Sequence, residues 1–111
     1  MSNDLNFYIN GEWVNSESNE TIDVINPANE EVIGQVTAGT KGDIDKAVSS
    51  ALDAFSSFQH TTKAQRIELL KNIITEYEVR YDDFVQTISK EMGSPIWLSE
   101  AAQAKTGIKN I

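Results

Sequence analysis

The hydrophobic periodicity of the sequence changes at Thr40, and this change limits the possible folds more than any other feature. Before Thr40, short β-branched or aromatic runs alternate with turn residues, which is typical of strands. After Thr40, apolar residues recur at spacings of three and four, as they do on one face of a helix. The chain has 111 residues, a length that suits one domain. We therefore predict an α+β fold with short strands first and about four helices after them.

Two pairs of strands are predicted in the N-terminal part. The first pair flanks Asn10-Gly11, a dipeptide that favours a type I′ turn because both residues tolerate a positive φ. The second pair flanks a turn at Asn26–Glu30, where Pro27 cannot extend a hydrogen-bonded ladder. The predicted strands are residues 5–9, 12–14, 21–25 and 31–37.

The first two helices are predicted to begin with capping boxes. In this motif a threonine side chain and the side chain three residues later each accept a hydrogen bond from the other's backbone N–H. Thr40 with Asp43 and Thr62 with Gln65 fit the motif. The first helix then presents one apolar face, formed by Ile44, Ala47, Val48, Ala51, Leu52, Phe55 and Phe58.

The third and fourth helices are delimited by breaks in the pattern. A break near Tyr81-Asp82 separates the second helix from the third. Gly93 is predicted at the C′ position after the third helix, and Pro95 at the first position of the fourth. The apolar spacing of the fourth helix is still in phase at the last residue, and its members are Trp97, Ala101, Ala104, Ile108 and Ile111.

The charge distribution excludes several classes of partner. The net charge is −8, and residues 1–45 carry nine acidic residues against one basic residue. Such a surface repels phosphate groups, so we expect neither a nucleic-acid partner nor an anionic membrane. The first residues do not resemble a secretory signal, and no apolar run approaches the roughly 18 residues of a membrane span. We therefore expect a cytoplasmic protein.

Residues with catalytic or ligand-binding chemistry are scarce. The chain has no cysteine and one histidine, His60, which we interpret as a loop residue because a metal site needs several ligands. A glycine-flanked helix start at Gly39–Gly42 could contact an anion, but a plain helix start is the simpler interpretation. We assign no catalytic, cofactor-binding or metal-binding residue. Surface or capping roles are predicted for Glu30-Glu31, Asp43 and Asp45, Asp82-Asp83, Lys41, Lys63 and Lys90.

Five landmarks, in this order, resemble the N-terminal segment of the NAD(P)-dependent aldehyde dehydrogenase family. Each is weak alone, but together they cover nearly all of the chain in the family's order and spacing. The landmarks are Phe7-Tyr8-Ile9-Asn10-Gly11-Glu12-Trp13-Val14; Asn26-Pro27-Ala28 with Glu31-Val32-Ile33-Gly34; Asp43-Ile44-Asp45-Lys46-Ala47-Val48 with Ala51, Ala54 and Phe55; Arg66 with Leu69-Leu70; and Glu91-Met92-Gly93-Ser94-Pro95.

The resemblance implies a place in a larger fold. These enzymes have a Rossmann-like cofactor domain, a catalytic domain and an oligomerisation arm. Residues 1–111 would be the N-terminal portion of the cofactor-binding domain, in its outer layer, and the catalytic and oligomerisation parts would be absent. Trp13 would then anchor the hairpin, and Arg66 would hold a helix start through a salt bridge. Some members bind a structural cation through backbone carbonyls that correspond to Val24 and Ile25, although no acidic partner is evident in the fourth helix.

The resemblance also implies an activity that this chain lacks the residues to perform. The full-length enzymes oxidise an aldehyde to a carboxylic acid through a cysteine thiohemiacetal, with NAD or NADP as cofactor. No position here matches the nucleophile or the cofactor turn, so we expect the chain alone to be inactive and to bind no cofactor. The expected partners are the rest of the aldehyde dehydrogenase chain and, for the full-length enzyme, further copies in a homo-oligomer.

Two alternatives to a fragment of an aldehyde dehydrogenase remain. The chain could be a non-catalytic interaction module, or a vestigial one, that binds a protein partner through exposed apolar helix faces. It could also bind an anion or a cation at the start of the first helix. The hairpin tryptophan adds a separate expectation: if Trp13 is buried, Trp13→Ala should cost roughly 3–5 kcal/mol.

Overall fold

The computed structural model describes residues 3–111 and has the predicted α+β architecture, with four short strands before the helices. Each strand pairs with its neighbour in sequence, which gives two separate two-stranded sheets. The strands are β1 (Asn6–Ile9), β2 (Glu12–Asn15), β3 (Thr21–Asn26) and β4 (Glu31–Thr37). The helices are α1 (Lys41–Phe58), α2 (Lys63–Val79), α3 (Tyr81–Met92), α4 (Ile96–Leu98) and α5 (Ala104–Lys109), with a π-helical turn (Ser99–Gln103) between α4 and α5.

The chain divides into two compact units. The first contains Met1–Val24, described from residue 3 onward, and Gly34–Thr61. It therefore holds the β1–β2 hairpin and α1. The second contains Ile25–Ile33 and Thr62–Ile111, which include the turn between β3 and β4 and all the later helices.

The β1–β2 hairpin has the predicted two-residue turn. Asn10 and Gly11 have φ values of 56° and 80°, and a type I′ turn requires both to be positive. Tyr8 pairs with Trp13 across the strands, and their ring centroids are 5.2 Å apart in an edge-to-face arrangement. Trp13 is 56% exposed, so the condition for the predicted cost of roughly 3–5 kcal/mol is not met. Its ring packs against Tyr8 of the same hairpin.

The turn between β3 and β4 is closed by Asn26. Its carbonyl accepts a hydrogen bond from the Glu30 amide at 2.8 Å, and its side-chain oxygen accepts one from the Ala28 amide at 2.9 Å. Glu30 has a φ of 62°, in the left-handed region that non-glycine residues seldom adopt. The Asn26 hydrogen bonds hold this conformation, and β4 begins at the next residue.

The helix starts confirm both predicted capping boxes. At Thr40 and at Thr62, the threonine side chain and the side chain three residues later satisfy each other's backbone N–H groups. The break between α2 and α3 falls at Arg80, one residue before the predicted position. A single non-helical residue therefore separates α2 from α3, close to the predicted position.

The end of α3 corrects one prediction about the next helix. Gly93 is left-handed with a φ of 66°, as predicted for a glycine that ends a helix. Pro95, however, has a ψ of 141° and precedes α4 as its N-cap, so it is not the first helical residue. Its own carbonyl accepts hydrogen bonds from the Leu98 and Ser99 amides. An extended residue in this position lets the chain turn before the helix begins.

The fourth predicted helix is not regular, because the π-helical turn interrupts it. In this second unit, Ala104 is fully buried and its carbonyl accepts a hydrogen bond from the Tyr77 hydroxyl at 2.9 Å. A Cβ on Gly107 would lie 2.6 Å from the same hydroxyl oxygen. The absence of a side chain at Gly107 therefore allows Tyr77 to reach the helix backbone. Tyr77 also stacks on Phe84, with ring centroids 4.2 Å apart.

The hydrophobic core of the described residues is small. Val85 and Ala104 are its buried apolar residues, whereas many large apolar side chains are exposed. The apolar face predicted for α1 exists as a pattern, yet Leu52 and Phe55 on it are 65% and 58% exposed. A helix with such a face normally packs against another layer of secondary structure. Among the described residues, no such layer buries the apolar face of α1.

Candidate functional site

The most elaborate polar site of the first unit surrounds the carboxylate of Asp43, at the start of α1. Asp43 accepts hydrogen bonds from the Ser16 hydroxyl at 2.6 Å, from the Thr40 amide and hydroxyl at 2.9 Å each, and from the Glu17 amide at 3.2 Å. The residue is 5% exposed. We call Ser16, Glu17, Thr40, Asp43 and Lys46 the Asp43 cluster.

The position of Asp43 corrects part of the sequence interpretation. The capping role was predicted and is confirmed, but the carboxylate is not solvated. The loop after β2 folds over it and brings Ser16 and Glu17 to a residue that is 26 or 27 positions away in sequence. This contact depends on tertiary structure, and no sequence signal at Asp43 distinguishes it from an ordinary capping acid.

The electrostatics of Asp43 favour a structural charge over acid–base catalysis. The Ser16 hydrogen bond, followed by that of the Thr40 backbone, lowers the pKa of Asp43 from 3.8 to about 2. A carboxyl group that acts as a general acid near neutral pH needs a raised pKa. Asp43 therefore remains ionised and completes the capping of α1, where a negative charge also complements the helix dipole.

Glu17 and Lys46 extend the cluster across the first turns of α1. Their charged groups are 2.6 Å apart, and the hydrogen bond to Glu17 raises the pKa of Lys46. A Cβ on Gly42 would overlap the Glu17 carboxylate. Gly42 thus provides room for a side chain that crosses the helix start.

This arrangement argues against the anion-binding alternative at Gly39–Gly42. The Asp43 carboxylate already accepts from the Thr40 amide and hydroxyl, and the Glu17 carboxylate lies over Gly42. Two carboxylates at a helix start repel a phosphate that would otherwise bind there. The glycine pair is therefore explained by packing.

The remaining candidates lie on the surface, where Lys41 pairs with Asp45 four residues away. His60 is exposed in the turn after α1. Asp82 and Asp83 lie exposed in the first turn of α3, where acidic side chains complement the helix dipole. Among residues 3–111, no three or more histidine, aspartate or glutamate side chains are grouped closely enough to hold a metal ion. In the same part of the chain, no helix is both long and apolar enough to cross a membrane.

The sequence interpretation missed a second polar group, at the π-helical turn. The hydroxyl oxygens of Ser94 and Ser99 are 2.6 Å apart, and they lie 2.8 Å and 3.0 Å from the Gln103 side-chain oxygen. Ser99 is fully buried. The four-residue spacing of Ser99 and Gln103 places them on one helix face, but that spacing alone does not indicate burial. The hydroxyls satisfy one another, and we assign the group a structural role.

Comparison with known proteins identifies the class to which this fold belongs. The sequence model of the Aldehyde dehydrogenase family matches residues 13–111. The chain therefore belongs to the aldehyde dehydrogenase family, and it corresponds to an N-terminal segment. This confirms the resemblance carried by the five landmarks.

Individual relatives agree with the family match. A Staphylococcus aureus (strain USA300) protein named "Putative aldehyde dehydrogenase" is 54% identical over 103 residues, which are 93% of this chain and 22% of that protein. Aldehyde dehydrogenase from Bartonella henselae superposes with a TM-score of 0.93 at 37% identity, over 97% of this chain and 23% of the other. Aldehyde dehydrogenase C from Pseudomonas syringae, in complex with NAD+ and octanal, gives 0.94 at 34% identity, over 96% and 22%. The chain spans about a fifth of the length of these relatives.

Proposed function

We propose that this chain is the N-terminal portion of the cofactor-binding domain of an NAD(P)-dependent aldehyde dehydrogenase and that it has no catalytic activity alone. The observation that carries the proposal is the family match over residues 13–111 combined with coverage of about a fifth of the relatives. In the whole protein, a cysteine outside this chain would attack the aldehyde, and NAD or NADP would accept the hydride.

The helix start at Gly39–Gly42 does not fit a dinucleotide. The helix start with a glycine pair is the natural place for a pyrophosphate, and here it is occupied by the Asp43 carboxylate and lies beneath that of Glu17. We therefore derive no catalytic step from these residues. A homo-oligomeric state and a cytoplasmic location are proposed for the whole protein on the family resemblance alone.

The test is aldehyde-dependent reduction of NAD and of NADP, followed by absorbance over a panel of aldehydes. We expect no reduction by the highly purified 111-residue chain. A chimera should reduce cofactor if this chain replaces the matching 103 residues of the Staphylococcus aureus relative. The unmodified relative is the control on the same panel. Turnover by the 111-residue chain, or an inactive chimera beside an active relative, would contradict the proposal.

A non-catalytic interaction module remains the second candidate, because the apolar side chains on the face of α1 are exposed. The two functions differ in the length of the natural product. The intact mass of the product in its native cells should be several times that of a 111-residue chain if the enzyme proposal is right. A mass equal to that of this chain would favour the interaction module.

A further inference from the structure

The tip of the β1–β2 hairpin carries a reactive pair of residues to which the proposed function gives no role. Asn10 is the one asparagine of this chain that a glycine follows. The side-chain carbonyl carbon of an asparagine can be attacked by the backbone nitrogen of the next residue, and a Cβ on that next residue hinders the approach. Gly11 has no Cβ. The sequence at the tip therefore permits a covalent reaction that is hindered at the other asparagines.

The folded hairpin leaves both reacting groups accessible. The hydrogen-bonded pairing of the strands ends at Ile9 and Glu12, so the Gly11 amide lies in the turn, outside the ladder. Both turn residues are exposed, and a Cβ built on Gly11 would meet no atom within 4 Å. The open space around the tip allows the Asn10 backbone to rotate away from its φ of 56°, which lies in a region that non-glycine residues seldom adopt.

The side chain of Asn10 is held weakly. Its oxygen accepts a hydrogen bond from the Ser50 hydroxyl at 3.5 Å, which is beyond the usual range for such a bond. By contrast, the Asn6 side-chain amide donates to the Asn15 side chain at 2.8 Å. A weakly held amide can turn its carbonyl carbon toward the Gly11 nitrogen, whereas a firmly bonded amide must first lose its partner.

We propose that Asn10 is a site of spontaneous deamidation and isoaspartate formation in the folded chain. The Gly11 backbone nitrogen loses its proton to hydroxide and forms a bond to the Asn10 side-chain carbonyl carbon. The bond from that carbon to the side-chain nitrogen breaks, and ammonia leaves with a proton from water. Water then opens the resulting cyclic imide at either carbonyl carbon, which gives aspartate or isoaspartate. The overall reaction consumes water and releases ammonia, without oxidation or reduction.

The products change the hairpin in two ways. Both add a negative charge to residues 1–45, which already carry nine acidic residues against one basic residue. Isoaspartate also directs the backbone through the side-chain methylene, which lengthens the connection between Ile9 and Glu12. A two-residue type I′ turn does not accommodate the extra backbone atom, so the isoaspartate form should loosen the contact between Tyr8 and Trp13. The inference requires only the hairpin and does not depend on the proposed enzymatic function.

Peptide mass spectrometry of the 111-residue chain tests the inference. The chain is incubated at mildly alkaline pH, and deamidation is followed at each asparagine. Asn19 and Asn29 are internal controls, because both are exposed and precede a glutamate. We expect Asn10 to react about tenfold or more faster than either control, because Gly11 lacks a Cβ. We also expect isoaspartate among the products, since the cyclic imide yields it and direct hydrolysis of the side chain does not. Equal rates at the three asparagines, or aspartate as the sole product at Asn10, would overturn the inference.

A urea series separates reaction of the folded hairpin from reaction of the unfolded chain. Below the unfolding transition, the unfolded fraction rises steeply with urea, because the unfolding free energy falls linearly. If the folded hairpin reacts, the rate at Asn10 should stay within about twofold over urea concentrations at which the unfolded fraction rises about tenfold. A rate that rises in proportion to the unfolded fraction would overturn the inference. Lack of a folded baseline in this series would also overturn it, because the reaction is assigned to the folded hairpin.

Discussion

At the residue scale, Asp43 couples a local motif to a distant loop. Its carboxylate caps α1 together with Thr40 and also accepts hydrogen bonds from Ser16 and Glu17. The spacing of Thr40 and Asp43 in the sequence predicts the hydrogen bonds between these two residues. The distant half explains why the pKa is lowered more than capping by Thr40 alone would lower it, since the Ser16 hydrogen bond is its largest cause.

Replacement of Asp43 should weaken the fold in a pH-dependent way. The pKa falls from 3.8 to about 2 on folding, so the ionised form stabilises the folded state above about pH 4. This contribution is lost as the pH falls from about 4 to about 2. We expect Asp43→Asn to lower Tm at pH 7, measured by far-ultraviolet circular dichroism, and the difference from the unsubstituted chain to shrink in that acidic range.

Asp45→Asn is the matched control for this prediction. Asp45 is exposed and pairs with Lys41 four residues away, an arrangement that contributes little to stability. Its substitution should leave Tm nearly unchanged at pH 7. Equal losses of Tm in the two variants would show that burial and the Ser16 hydrogen bond do not matter.

Substitution by alanine should destabilise the fold more at Gly93 than at Gly11. Both have positive φ values, 66° and 80°, which cost an alanine about 1–2 kcal/mol. A Cβ at Gly93 would also lie 2.8 Å from the Ala28 amide nitrogen and 2.9 Å from a Pro27 ring carbon, whereas a Cβ at Gly11 meets nothing within 4 Å. Urea denaturation should show a larger loss of unfolding free energy for Gly93→Ala than for Gly11→Ala. The reverse order would contradict the contact with the Pro27–Ala28 turn.

At the element scale, the helix starts are the best-determined features. The capping box at Thr62 is formed by hydrogen bonds between Thr62 and Gln65. We expect Thr62→Ala to reduce the unfolding free energy by about 1 kcal/mol, because an N-cap threonine satisfies an otherwise unpaired amide. Thr75→Ala, within the same helix and also exposed, should be neutral or slightly stabilising, because alanine favours helix interiors. Equal losses in both variants would rule out capping as the cause.

Substitution of Trp13 in the β1–β2 hairpin should reduce the unfolding free energy less than substitution of a buried tryptophan would, because Trp13 is exposed. Trp13 is more than half exposed and packs edge-to-face on Tyr8. Such aromatic pairs contribute about 0.5–1.5 kcal/mol, so Trp13→Ala should cost that amount and not 3–5 kcal/mol. Urea denaturation of Trp13→Ala, Tyr8→Ala and the double variant measures the coupling directly. Additive losses would mean that the two rings do not stabilise each other.

At the scale of the whole molecule, exposed apolar surface outweighs the buried core. Two apolar side chains are buried among residues 3–111, while the large side chains on the apolar face of α1 are exposed, namely Ile44, Val48, Leu52, Phe55 and Phe58. Domains of ordinary stability have an unfolding free energy of about 5–15 kcal/mol. We expect the 111-residue chain to lie at or below about 5 kcal/mol in urea denaturation, and the chimera to unfold at higher urea. A value near the top of that range would mean that the exposed face needs no covering.

The sequence determined the parts of this fold that depend on neighbouring residues. Asn10-Gly11 specified a tight turn, Thr40 and Thr62 specified helix starts, and Gly93 specified a helix end. In each case the stabilising hydrogen bond or backbone conformation lies within a few residues. The order of the five landmarks likewise identified the family, because that order is a property of the chain itself.

Tertiary structure alone decided the features that depend on residues far apart in sequence. Ser16 reaches Asp43 across 27 positions, and Tyr77 reaches the Ala104 carbonyl across the same number. The first contact helps to bury Asp43, which the sequence pattern predicts at the surface. The second supports the irregular helical segment that contains Ala104, which the pattern predicts to be a regular helix. The sequence alone also left undetermined whether Trp13 and the apolar face of α1 are exposed. An apolar pattern reports which side of an element avoids water, whereas burial requires a second surface that the pattern does not contain.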